Sequence, residues 1–383
     1  MSQPVPVNID ILKWARETSG LSVLDVARRL KKEPDEIKRW ERGESAPTYP
    51  QLERLAYEVY KRPAAVFFFP AVPEESSPKA DFRTLPGETA NSMPPEIIKI
   101  YKKAKIYQLN LKELDGESKT QRLLDSFQIG GDSDIPDLAG SVREFLKIDF
   151  QTQTEWKTLD EGIEAWRVAL ATCGIYVFKD AFRNDRFSGL SIYDESWPVV
   201  QINNSMAKAR QIFSIFHEVA HLLYKSGGVD ALQESFYDRF RDDYYAIEQT
   251  CNEFAGEFLL PSAVFQINTP AFNEANLTEM ADSFKVSREV VLRKYLKSKL
   301  INYETYKFYS GKWSKEFLES RRNKKEDDSG GSHYNTKKSY LGKHYINLAF
   351  SHYYQGKIDI ETLAGYLDVK VSNLPDFERH AMR

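Results

Sequence analysis

The chain is poor in the residue types that build covalent or metal frameworks by sheer number. Its 383 residues include two cysteines, Cys173 and Cys251, and six histidines. Two cysteines cannot form a disulfide framework. Both stand in apolar stretches, so they read as small buried thiols of a protein in a reducing compartment. No apolar run reaches the roughly 20 residues that a membrane-spanning helix needs. The first residues lack the apolar core of a signal peptide. The expectation is a cytoplasmic protein with no membrane partner. Charge of one sign is missing too: 53 basic residues against 56 acidic ones leave a net charge of −3. That argues against a generally basic nucleic-acid binder, though not against a local patch. A hydrophobic content of 42% is enough for sizeable cores, and the length predicts two or three domains.

Against this scarcity of histidine, two of the six lie four apart, in His217-Glu218-Val219-Ala220-His221. The surrounding residues 210–224 have apolar side chains at helical spacing: Ile212, Phe213, Ile215, Phe216, Val219, Ala220, Leu222 and Leu223. A helix that is apolar nearly all round is a buried one. Positions four apart lie one above the other on a single face, so two imidazoles there can bind one metal ion. Glu218, turned by about 100°, can reach a water on that metal. Buried histidine and glutamate need partners, and a metal is a good one. H-E-x-x-H on a helix is the zinc-hydrolase arrangement.

Such a site needs a third protein ligand. A metzincin would carry Gly and His at positions 224 and 227, where this chain has Tyr224 and Gly227. That class is excluded. A glutamate from a second helix is the alternative. Residues 247–260 have Ile247, Cys251, Phe254, Ala255, Phe258 and Leu259 in helical phase, and Pro261 ends the run. Glu248 and Asn252 share one face. Glu248 is the candidate ligand, and Asn252 the group that orients a ligating histidine through its other ring nitrogen. Glu253 and Glu257 read as solvated helix residues. Three ligands leave an open metal position. A donor for a tetrahedral oxyanion is also required, with Tyr237, Tyr244 and Tyr245 as equal candidates.

Residues 201–261 resemble the ImmA/IrrE family of metallopeptidases. The resemblance rests on the strand Val199-Val200-Gln201-Ile202-Asn203, on the lead-in Arg210-Gln211-Ile212-Phe213 to H-E-x-x-H, and on the run from Glu248 to Pro261. Cys251 stands where the family usually has alanine; both are small. The resemblance implies that His217, His221 and Glu248 hold Zn2+ and that Glu218 is the catalytic base. It also implies a protein substrate, a Cro/C1-type repressor being the kind such peptidases cut.

Residues 1–62 form a separate module. Short helices are predicted over residues 8–17, from Val23 to Leu30, from Pro34 to Trp40 and over residues 48–60. The points Leu21-Ser22, Ala27-Arg28, Ile37 and Trp40-Glu41-Arg42-Gly43 resemble the Cro/C1-type (XRE) helix-turn-helix. In that family the third helix enters the DNA major groove, so Arg28, Lys38 and Arg39 are the expected DNA contacts. Two features run against DNA binding. Asp35 and Glu36 open the third helix, and residues 1–70 carry twelve basic against ten acidic side chains, a weak excess for a DNA binder. A bundle that docks a related repressor is the competing use.

Residues 63–80, rich in proline and with Glu74-Glu75-Ser76-Ser77, read as a linker, with Phe67-Phe68-Phe69 as a packing anchor before it. Arg83 reads either as part of the peptidase fold or as a surface residue. Helices are expected over 94–127, 138–146 and 158–171, and strands over 174–178, 187–193 and 198–202. That small sheet would form one wall of a substrate cleft. Residues 278–293 have helix-turn-helix rhythm and read as structural support. The fold class expected is α+β, predominantly helical. A helix-turn-helix bundle at 1–62 is followed by the linker 63–80, a zincin-like domain with a small sheet at 81–265, and a helical C-terminal region at 266–383. The function expected is a zinc endopeptidase with a DNA-binding module. The alternative is a DNA-binding regulator or antitoxin whose zincin fold senses a signal without proteolysis.

Overall fold

The computed structural model describes residues 3–73, 93–115, 122–231, 242–324 and 333–381. Arg83 and Tyr237 lie outside these residues. The chain divides into two compact units, Met1–Lys103 and Ala104–Arg383. Both are mainly helical, and the second carries the sheet.

The first unit begins with α1 (Ile9–Glu17), α2 (Val23–Leu30), α3 (Pro34–Glu41) and α4 (Tyr49–Glu53). Each start has a chemical cause. Asn8 caps α1, and Ser22 exchanges hydrogen bonds with Asp25 in a capping box at α2. Pro34 opens α3, where its missing N–H costs nothing. Arg16 and Glu41 clamp α1 to α3 through a 2.6 Å ion pair. Ile11, Leu12, Val26, Leu30, Ile37, Trp40 and Leu52 close the core. The helix expected over 48–60 changes winding: it continues past α4 as a π-helix, Arg54–Tyr60. The burial of Leu52, Leu55, Ala56 and Val59 suits either winding, so apolar spacing could not tell them apart. The bundle also takes in Ala64 and Phe67, buried in a short 3₁₀ turn, Ala64–Phe68, within the stretch read as the start of the linker. After this comes α5 (Pro95–Asp115), within which the division between the two units falls.

The second unit continues with α6 (Leu123–Ser126), α7 (Ile135–Leu146), α8 (Phe150–Glu155) and α9 (Leu159–Thr172). The sheet follows: β1 (Tyr176–Asp180), β2 (Phe187–Ile192), β3 (Val199–Asn203) and, after α10 (Lys208–Leu223), β4 (Gly228–Ala231). The strand order is β1-β3-β2-β4. β1 runs parallel to β3; β2 is antiparallel to both β3 and β4. β2 and β3 are buried along their whole length, the polar side chains of Ser188, Ser191, Gln201 and Asn203 included. Asn203 pins the sheet. Its amide donates to the Phe187 carbonyl at 2.8 Å, and its oxygen accepts from the Ser205 N–H at 3.0 Å.

α10 crosses this sheet and packs on α11 (Asp242–Leu259), which in turn packs on α7. Phe216 stacks on Phe258, with Trp166 edge-on to both. The last carbonyls of α11 would be orphaned inside the core. Buried Arg143 donates to Phe258 O at 2.7 Å, and buried Gln153 donates to Leu259 O at 3.1 Å. These caps hold α11 in place against α10. Cys173 and Cys251 form no disulfide and are buried.

The remaining helices are α12 (Ser262–Asn268), α13 (Glu274–Ser283), α14 (Arg288–Lys297), α15 (Tyr303–Lys324), α16 (His333–Leu341), α17 (Lys343–Tyr354), α18 (Ile360–Leu367) and α19 (Leu374–Ala381). α13 and α14, the pair with helix-turn-helix rhythm, bury Leu277, Met280, Val291 and Tyr295 in the same core as α10 and α11. Among the described residues, no helix is long and apolar enough to cross a membrane.

Candidate metal centre

His217 and His221 sit one turn apart on α10, and Glu248 sits opposite them on α11. All three are buried. Their ligand atoms converge. His217 Nε2 and His221 Nε2 are 3.2 Å apart; His217 Nε2 lies 3.2 Å from Glu248 Oε2, and His221 Nε2 lies 3.2 Å from Glu248 Oε1. Ligand atoms of a tetrahedral zinc site with bonds of about 2.0–2.1 Å stand about 3.3–3.4 Å from one another. The spacing fits a metal of that size. Among the described residues this is the one cluster of three such groups close enough to share an ion.

The electrostatics point the same way. Burial opposes ionisation of Glu248, but the charge of His221 and hydrogen bonding with both imidazoles hold its carboxyl well below the usual carboxylate range. Beyond these two rings, neither oxygen of Glu248 has a hydrogen-bond partner among the described residues. A buried carboxylate facing two imidazole nitrogens, with nothing else to neutralise it, is a set of donors for a cation.

Asn252, one turn after Glu248, places Oδ1 at 3.1 Å from His217 Nδ1. A carbonyl oxygen accepts, so His217 carries its proton on Nδ1. With a cation in the site, that leaves the Nε2 lone pair free to ligate it.

Glu218 is fully buried and turns toward the sheet. Ser191 Oγ on β2 donates to Glu218 Oε2 at 2.6 Å and accepts from the Gly228 N–H at 3.0 Å. With the backbone amide on one side, the serine proton has the carboxylate as its acceptor. Two glycines make room. A Cβ on Gly189 would stand 3.1 Å from Glu218 Oε1, and a Cβ on Gly228 would stand 2.3 Å from the ring of His221. Ser191, Gly189 and Gly228 were not anticipated as site residues. A signal existed for two of them: Gly189 and Ser191 are two apart on one strand, so both face the same side. Small residues there leave space for a helix that carries bulky functional groups.

Other expectations resolve differently. Glu257 is not a solvated helix residue. It is buried and ion-paired to Lys294 at 2.8 Å, because its face of α11 packs against α14. Glu253 is exposed and paired to Lys297 at 2.6 Å. Tyr245 is 49% exposed in the first turn of α11. His333, His344, His352 and His380 lie on α16, α17 and α19, outside the cluster. In the helix-turn-helix unit Arg28, Lys38 and Arg39 are exposed. Arg28 lies 3.8 Å from Asp25, and Arg39 lies 3.7 Å from Asp35.

A helical bundle of the helix-turn-helix class is thus followed by a metallopeptidase-type centre built on two packed helices and a small sheet. Residues 10–63 match the family model described as a helix-turn-helix domain. Residues 172–295, from the end of α9 into α14, match a peptidase-family model described as an IrrE N-terminal-like domain. The chain therefore carries an IrrE N-terminal-like domain behind an N-terminal helix-turn-helix domain. A comparison with curated proteins gave no match.

Proposed function

We propose that this protein is a zinc-dependent endopeptidase of the cytoplasm, with Glu218 as its catalytic base. The observation that carries this reading is the buried triangle of His217, His221 and Glu248 with 3.2 Å edges, next to Glu218. Zinc held there would polarise the scissile carbonyl and make a water more acidic. The residues of the chain supply the remainder. Glu218 accepts the proton of the attacking water and returns it to the leaving amine. Ser191 holds the Glu218 carboxylate in one orientation. Asn252 keeps His217 in the tautomer that offers Nε2. β4 stands at the end of the strand order beside His221. An extended substrate backbone adding to that edge would be carried past the centre.

The substrate we propose is a Cro/C1-type transcriptional repressor, recognised with the help of the N-terminal unit. The assay is incubation of the full-length protein with zinc and candidate repressors, followed by mass spectrometry of the fragments. Cleavage by the wild type and at least 100-fold slower cleavage by Glu218→Gln are expected, from the share of such rates that a general base provides. No cleavage of any repressor, or equal cleavage by the variant, overturns the reading.

A second reading is favoured by the helix-turn-helix match: a DNA-binding regulator in which the metal fold senses a signal. Arg28, Lys38 and Arg39 would then contact phosphates. Asp25 and Asp35 already lie near two of them, and a sensor has no evident need for a base beside its metal. Salt-dependent binding to promoter DNA without peptidase activity would establish it.

A further inference from the structure

The peptidase reading leaves unused a cavity of about 330 Å³ in the second unit, lined by α9, β1, α16 and the start of α17. Lys179 of β1 lines it and is only 3% exposed. Among the described residues its ammonium group has no hydrogen bond and no ion pair. A buried cation without a partner is costly and rare. Burial, followed by the charges of Lys208 and Arg167, pushes its pKa down to about 7.

The carboxylates around the cavity relieve this only in part. Its two carboxylates are engaged elsewhere. Asp160 pairs with Lys208 at 2.8 Å. Glu164 accepts from Arg167 Nη1 at 3.3 Å and from the Lys343 N–H at 2.8 Å. Arg167 also donates to the carbonyls of Val177, Ser339 and Tyr340. Lys338 reaches only a carbonyl, His380 O at 3.2 Å, and the Lys343 side chain is exposed. Three ammonium groups therefore remain uncompensated around one cavity.

We propose that this cavity binds a small phosphate-bearing ligand, with Lys179 as its buried counter-charge and Lys338 and Lys343 at its mouth. Phosphate fits better than carboxylate for a geometric reason. The planar fork that matches a carboxylate belongs to arginine, and Arg167 cannot offer one: Nε, Nη1 and Nη2 each already donate to carbonyls or to Glu164. Lysines act as point charges and suit a dianion of tetrahedral shape. The ligand also supplies what Lys179 lacks, so binding draws a proton onto that amine.

The test is calorimetric titration of the full-length protein with inorganic phosphate, with adenosine monophosphate and, as a control, with acetate at equal ionic strength. Saturable binding of a phosphate species, not matched by acetate, is expected. Lys179→Met, which puts an apolar side chain of similar length into the core, should weaken it by about tenfold or more, the scale of one charge-assisted contact. Lys338→Gln, at a half-buried position with little bearing on folding, should weaken it severalfold. Tighter binding of adenosine monophosphate than of phosphate would mark the phosphate as part of a larger ligand; equal affinity would mark free phosphate. Acetate binding as tightly, no saturable phosphate binding, or unchanged affinity in both variants overturns the proposal. None of these outcomes depends on peptidase activity.

Discussion

Gly228 lies flat against the imidazole of His221, so close that a Cβ would stand 2.3 Å from two ring carbons and 2.8 Å from Nδ1. The strand that follows α10 is thus shaped to the ring of His221. In Gly228→Ala the ring must rotate or the strand must withdraw. Metal affinity is expected to fall on the order of ten- to a hundredfold, as when a ligand loses its orienting support. Competition with a metal-binding dye measures it. Gly256→Ala is the matched control. It lies on α11 with open space where its Cβ would go, and it should leave affinity unchanged while gaining helix stability of about 0.5–1 kcal/mol.

The hydrogen bond from His217 to Asn252 gives a second expectation. Asn252→Ala frees Nδ1, so the ring can protonate or turn. Metal affinity should fall on the order of 10- to 100-fold. Glu248→Gln removes the only carboxylate of the cluster and should abolish stoichiometric metal, whereas Glu253→Gln, at an exposed position, should retain it. Elemental mass spectrometry of the three purified variants separates these cases. Full metal content in Glu248→Gln would remove Glu248 from the ligand set.

Ser191 separates orientation from metal binding. Ser191→Ala leaves the three ligands untouched and deprives Glu218 of a hydrogen bond to a charged group, worth roughly 1.5–3 kcal/mol. Turnover should drop on the order of tenfold to a hundredfold with metal content unchanged. Turnover equal to that of wild type would show that the serine is packing alone.

Acid stability should report the buried pair Glu257–Lys294. Burial resists the charge on Glu257, but hydrogen bonds from Lys294 and Ser262 outweigh it and hold the carboxyl down at about 2. The amine behaves differently: burial lowers Lys294 by more than the pair restores. The pair is thus a modest net stabiliser and an expensive one to break. A carboxyl lowered on folding stabilises the native state above its unfolded value of about 4.5 and loses that contribution as pH falls toward 2. Denaturant midpoints should therefore decline through this window. Glu257→Gln should flatten the decline and cost about 3–5 kcal/mol at neutral pH by stranding Lys294.

The sequence by itself determined the local matters. Helical phase put His217 and His221 on one face of α10, and Glu248 and Asn252 on one face of α11, since those facts depend only on 3.6 residues per turn. Ser22 and Pro34 marked the starts of α2 and α3 in the same local way. Residues 187–193 and 198–202 read as strands from their β-branched and aromatic content, and the helix-turn-helix rhythm of α13 and α14 was legible as short amphipathic helices. What remained open were matters of distance across the chain. Glu257 and Glu253 share a helix and a charge, and only the packing of α14 against one face buries the first and leaves the second in water. β4 is four residues long with glycine at its head, so it offers no apolar pattern, and pairing with β2 alone makes it a strand. Ser191, Gly189 and Gly228 serve the centre only because β2 and β4 pass beside α10. Lys179 lay just past the strand expected over 174–178, and only the closing of α9, α16 and α17 around it makes its environment. Local periodicity encodes which way a side chain points along its own element. What it then meets is settled by the packing of segments tens to hundreds of residues apart.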